Sequence, residues 1–176
     1  RQSLVKARIV VSTRPARQRV EQCIEAATIG HSWTREAIEG IRSMRYQLEE
    51  GAKKSNLKRG PGGIVDLEFI VQTMQLVYGN EEKSLAKTET LSGLMVIYKA
   101  GKLSKEHFDF FETAYRVLRS IEGRLRLLNA AARHEFPESE EEQQKLAHLL
   151  GYQQKESLIE DVEILTKKMR HRFEEV

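Results

Sequence analysis

Leu57-Lys58-Arg59-Gly60-Pro61-Gly62-Gly63 runs without interruption into Ile64-Val65-Asp66-Leu67-Glu68-Phe69. A glycine-dense loop with two cations enters an apolar segment that carries two carboxylates. The apolar run continues to Tyr78, stops at Gly79-Asn80, and reads as a helix over 64–78. Three glycines allow backbone angles and close approaches that side chains forbid, and Pro61 stiffens the turn. Two readings follow. Free N–H groups at the helix start, the helix dipole, Lys58 and Arg59 together suit an anion such as a phosphate. Alternatively, the glycines make a tight connection in which two backbones pack. The spacing is neither a Walker A loop nor a dinucleotide fingerprint.

Outward from this loop, apolar residues recur at spacings of three and four, and no alternating strand pattern stands out. Residues 1–10 read as the tail of a helix. Pro15 opens a helix reaching Thr28, broken by Gly30-His31-Ser32. Thr34 caps another reaching Glu50, ended by Gly51, with Ile38, Ile41, Arg45 and Leu48 on one side. Further helices are expected over 90–100 and from the Ser104 cap to about Arg133. A capping box of Ser139 and Glu142 opens the next, and the last lies between Ser157 and about Glu174. The expected fold class is all-α, a helical bundle of about seven or eight helices, with 1–176 forming a single helical domain.

The chain has 176 residues, enough for a sizeable core. Hydrophobic residues make up 40% and charged residues 31%, which suits amphipathic helices in water. No apolar run approaches the roughly 20 residues of a membrane span, so no membrane partner is expected. The net charge of +3 is too small to indicate nucleic acid. A nucleic-acid-binding helical domain would need a continuous basic surface, and the acidic block Glu138, Glu140, Glu141 and Glu142 argues against one. That block itself reads as a solvated face. Cys23 is the only cysteine, so no internal disulfide exists, and a reducing cytoplasm fits. Its neighbours Val20, Ile24 and Ala27 suggest a buried, inert thiol. Five scattered histidines give no zinc spacing, and no metal ligands are expected. Trp33, before a cap, reads as a packing anchor.

Asp66 and Glu68 lie about 200° apart around a helix, so one faces the loop and the other is buried or paired. Asp66, favoured by the dipole, is the candidate catalytic residue. Arg119 and Glu122 lie three apart in an apolar stripe with Phe111, Tyr115, Leu118 and Leu125. They read as a structural ion pair, because charges inside a stripe are costly unless paired. The alternative is that Arg45 and these cations line an anion site.

Leu57-Lys58-x-Gly60-x-Gly62-Gly63-Ile64-x-Asp66-Leu67-Glu68-Phe69-x-x-Gln72 closely resembles the signature of the bifunctional glutamine-synthetase adenylyltransferase/adenylyl-removing enzymes. Lys6-Ala7-Arg8-Ile9-Val10, Met44-Arg45, Thr90-Leu91-x-x-Leu94, Ala114-Tyr115-x-x-Leu118-Arg119-x-x-Glu122, His134-x-Phe136-Pro137 and Leu146-Ala147-x-x-Leu150-Gly151 follow in family order. The similarity covers nearly the whole chain. It departs from the family at Asn56, where an aspartate is usual, and at Tyr46-Gln47, where a second cation is usual.

The resemblance implies a fragment of a larger multidomain enzyme in which nucleotidyltransferase modules are each followed by a helical domain. One module moves AMP from ATP to glutamine synthetase and the other removes it, under control of PII protein and glutamine. The nucleotidyltransferase hallmark is absent here, because Asp66, Asp109 and Asp161 are the only aspartates and none is two from another. The metal-binding carboxylates are therefore expected on an upstream module. ATP and Mg²⁺ are expected in the parent and neither in the fragment alone, which should be inactive. Lys58, Gly60, Gly62, Gly63 and Arg45 would contact nucleotide phosphates, and Asp66 would orient Lys58, Arg45 or a metal-bound water. The rival expectation is a regulatory or docking module that contacts glutamine synthetase or PII protein through its long helices.

Overall fold

A computed structural model describes residues 2–30, 32–128 and 134–175. Among them are seven α-helices: α1 (Arg14–Ala27), α2 (Arg35–Glu49), α3 (Ile64–Tyr78), α4 (Thr90–Lys99), α5 (Lys105–Leu128), α6 (Glu140–Leu149) and α7 (Lys155–Glu175). Short 3-10 turns occupy Gln2–Lys6 and Lys83–Leu85. The all-α class follows directly. The only extended pairing among the described residues is an isolated bridge between Asn56 and Glu135.

Most helix limits fall within a residue or two of those expected. Thr34 Oγ1 accepts from the Ala37 N–H and Ser139 Oγ from the Glu142 N–H, so both caps form. One of these expectations needs correction. Over the described residues 2–10 there is no α-helix tail: only Gln2–Lys6 turn, as a 3-10 helix. Ile9, Val10 and Val11 are β-branched in succession, which restricts the rotamers a helix would need. The helix expected to reach Arg133 is described to Leu128, and 129–133 lie outside the described residues, as does His31.

The described chain forms two compact units. One comprises residues 1–44 and 68–109, the other 45–67 and 110–176.

In the first unit, Ile70, Leu76, Leu85, Leu94 and Ile97 are buried. The buried Gln75 amide donates to the carbonyls of Leu85 and Lys87 at 2.6 and 2.9 Å, which fixes the chain after α3. Tyr98 stacks on Phe108 with centroids 4.7 Å apart. Trp33 donates from Nε1 to the Thr28 carbonyl, tying the end of α1 to the start of α2. Cys23 is exposed, contrary to the sequence expectation. α1 buries none of its residues, so the Val20–Cys23 side that periodicity marks as apolar faces solvent.

In the second unit, Leu118, Ile121 and Leu125 of α5 meet Leu57, Ile64, Leu146, Ala147, Leu158 and Val162. The loop thus sends Leu57 into the same core that α6 and α7 close. Full burial of such side chains stabilises by about 1.5–3 kcal/mol each. The acidic block lies at the start of α6, where Glu140 pairs with Lys155 and Glu141 with Lys145.

Candidate functional site

The loop folds on hydrogen bonds supplied by its own residues. Asn56 Oδ1 accepts from the N–H groups of Lys58 and Arg59 at 3.1 and 2.8 Å, while its Nδ2 donates to Glu135. The asparagine at this family departure therefore serves on both sides, which an aspartate facing Glu135 could not. Gly60 N–H donates to Asn56 O, Gly63 to Gly60 O, Ile64 to Leu57 O, Val65 to Lys58 O, and Asp66 to Gly63 O. Gly62 N–H donates to Asp66 Oδ2 at 2.7 Å, and Leu57 N–H to His134 O. From Leu57 to Asp66, every backbone N–H donates within the chain. The free N–H groups of the anion-cradle expectation are not there, and the glycines do the packing work of the alternative reading.

Gly62 has φ +71°, and a Cβ on it would lie 1.9 Å from the carbonyl oxygen of Thr166 on α7. At Gly60 and Gly63 added Cβ atoms would meet backbone carbonyl oxygens at 2.5 and 2.8 Å. Backbone cannot yield as a flexible side chain can, so each position requires glycine for close approach.

Beneath the loop lies a charged cluster from four parts of the second unit. Arg45, at the end of α2, is fully buried. Its Nη2 donates to the carbonyls of Arg59 and Gly60 at 3.0 and 2.9 Å. Its Nη1 lies 3.1 Å from Glu49 Oε2, and its Nε pairs with Asp66 Oδ1. Arg170 of α7 closes the ring, with Nη1 at 3.3 Å from Asp66 Oδ2 and 3.0 Å from Glu49 Oε2. Its guanidinium also faces the rings of Tyr46 and Phe173, at 4.8 and 5.4 Å. Two guanidiniums and two carboxylates thus compensate one another, as burial of charge demands.

This placement changes the sequence assignments. Arg45 donates from Nη2 to two carbonyls of this chain, its Nη1 and Nε face the carboxylates of Glu49 and Asp66, and its side chain has no solvent exposure. Asp66 has no solvent exposure, and its carboxylate is turned to Arg45, Arg170 and the Gly62 N–H. Of the roles considered for it, orienting Arg45 is the one its contacts describe. Burial pushes the Asp66 carboxyl above its ordinary range, against the pull of Arg45, the Gly62 N–H and Arg170. Arg170 was not singled out from the sequence. It sits among charged residues on α7, and no local signal separates it from its neighbours.

Lys58 is half-buried and Arg59 exposed. Among the described residues neither side chain has an acidic partner. Lys58 shares the wall of a small void with Glu122, Leu125 and His134. Glu122 is buried, with Arg119 Nη1 at 2.7 Å, Arg126 Nη2 at 3.1 Å and His134 Nδ1 at 3.2 Å. Arg119 also donates to the Tyr115 hydroxyl. Burial raises the Glu122 carboxyl, but the Arg119 hydrogen bond and the charges of Arg119, Arg126 and His134 outweigh it and hold it low. Arg116, one turn before Arg119 on the same helix, pairs with Glu112.

Beside the loop, an open groove of about 650 Å³ has Leu57, Pro61, Phe136, Ile159 and Val162 as its apolar lining, with Lys54, Lys167 and Arg170 among its polar residues. Among the described residues no group of three or more His, Cys, Asp or Glu side chains is placed to hold a metal ion. None of their helices is long and apolar enough to cross a membrane.

Residues 35–176, which include the whole loop and all four members of the charged ring, match the family model described as GlnD PII-uridylyltransferase. The chain belongs to this family. Similar curated proteins carry the name bifunctional glutamine synthetase adenylyltransferase/adenylyl-removing enzyme. The one from Xanthomonas axonopodis pv. citri is 34% identical over 128 residues, covering 70% of this chain and 14% of that protein. The one from Caulobacter vibrioides is 35% identical over 65% of this chain and 12% of its own length. The one from Nitrosococcus oceani is 29% identical over 100% of this chain and 19% of its own length. The chain therefore spans about a seventh of the first of these relatives. The family description and the relatives' names differ in target: the former names PII, the latter glutamine synthetase.

Proposed function

We propose that this chain is a helical domain of an enzyme that adenylylates or deadenylylates glutamine synthetase, and that it supplies a rigid cationic wall to a nucleotidyl-transfer centre carried elsewhere in that enzyme. One observation carries the reading. The loop is locked from within by Arg45, Asp66, Glu49 and Arg170, while among the described residues the Lys58 and Arg59 side chains have no acidic partner. Nucleotidyl transfer is largely positioning and charge neutralisation. A fixed loop holds two cations in place without reorganisation when phosphate charge develops. ATP and the Mg²⁺ that accompanies it would be held mainly by the other module, since the described residues offer no metal-binding cluster. Regulation by PII protein and a cytoplasmic setting go with this proposal.

In the enzyme that contains this chain, Lys58→Ala with Arg59→Ala should cut the adenylyl-transfer or removal rate strongly while leaving the helical circular-dichroism signal unchanged. An unchanged rate would remove the loop from the mechanism. A docking role is the second reading, favoured by the apolar groove beside the loop. It expects Ile159→Glu to raise KM for glutamine synthetase while kcat holds.

A further inference from the structure

Every residue from Val10 to Cys23 is exposed. Val10 and Val11 are 79% and 89% exposed, and Val20 on α1 is 44% exposed. A helix of this length draws most of its stability from packing one face, not from propensity. Residues 7–23 also hold Arg8, Arg14, Arg17 and Arg19, no lysine, and Glu21 as their only acid. Arg17 has Glu21 at 3.6 Å, and Arg8, Arg14 and Arg19 have no acidic partner among the described residues. Exposed aliphatic groups set among arginines with lysine depleted are the composition of a protein interface. The family match begins at residue 35, so this surface lies outside it. The relative matched over the whole chain shares only 19% of its own length with it.

We infer that residues 7–23 form a docking surface for a further module of the same polypeptide, whose contacting face is acidic and apolar. The unpaired arginines give the charge sign of that face, and the valines give its apolar part. A second copy would bring like charge against like. The inference depends on the proposed function only in that the chain is one part of a longer enzyme.

Cys23 is a built-in reporter, being the only cysteine of the chain and lying on the exposed side of α1. Its rate of reaction with a water-soluble maleimide is to be measured at the Cys23 peptide by mass spectrometry, in the complete enzyme and in the 176-residue chain, the latter once cooperative urea unfolding has shown it to be folded. Reaction should be at least about tenfold slower in the complete enzyme, and Val11→Asp should restore it. Equal rates would overturn the inference, as would protection that Val11→Asp leaves intact. Protection of the 176-residue chain alone, either growing with its concentration or induced by phosphatidylserine vesicles, would assign the surface to a second copy or to a membrane instead. The readout needs no catalysis. A complete enzyme that shields Cys23 yet ignores Lys58→Ala keeps the surface and loses the cationic wall.

Discussion

Arg45 Nε lies 2.5 Å from Asp66 Oδ1, and neither side chain is exposed to solvent. The pair joins the end of α2 to the first turn of α3, and its guanidinium also holds the carbonyls of Arg59 and Gly60. Removing one partner of a buried pair leaves an uncompensated charge, at a cost of about 3–5 kcal/mol. Arg45→Met should lower unfolding free energy in urea by that order. Arg45→Met with Asp66→Asn should recover part of it, because the amide oxygen can still accept from Gly62. A double-variant loss equal to the sum of the losses in Arg45→Met and Asp66→Asn would mean that the pair does not hold the loop.

Gly62 and Gly51 both have positive φ, +71° and +80°, but differ in surroundings. A Cβ at Gly51 meets nothing, whereas one at Gly62 would fall 1.9 Å from a backbone oxygen of α7. Gly51→Ala should cost about 1–2 kcal/mol, from conformation alone. Gly62→Ala should cost at least about 2 kcal/mol more, because α7 must lift from the loop. Denaturant titrations of the two variants give the comparison, and matching losses would show that α7 does not seat against Gly62.

Glu122 is held below its ordinary 4.5 by Arg119, Arg126 and His134. Its contribution to stability is therefore present above pH 4.5 and lost as pH falls through the lower folded value. Glu122→Gln should reduce stability at neutral pH and flatten the acid limb of the stability profile. Asp66 works with the opposite sign. Burial raises its carboxyl above 3.8, so its contribution is present below that value and lost as pH rises through the folded one. Thermal unfolding between pH 2.5 and 7 distinguishes the two. A Glu122→Gln profile parallel to the parent's would refute the assignment.

The helices were legible because their signals are local. Thr34, Ser139 and the apolar spacing of 64–78 act within a few residues of themselves, and the family signature lies along one continuous stretch. The misreadings have local causes too. Val20, Cys23 and Ile24 carry helical periodicity, but periodicity says which side of a helix is apolar, not whether anything covers it. The β-branched run at Ile9 to Val11 outweighed the expectation of a helix at the start of the chain.

The sequence by itself determined an all-α chain, the place of the glycine loop, and membership in a nucleotidyltransferase family. These rest on residues adjacent in the chain or one helical turn apart. Only the tertiary structure decided what the loop does with its donors. Glu49, His134 and Arg170 reach it from other segments, Arg170 from 104 residues beyond Asp66, and a hydrogen bond or ion pair depends on distance in space. The same N–H groups that could have faced a phosphate were thereby turned inward, because burying them unpaired would cost more than any local preference could offset.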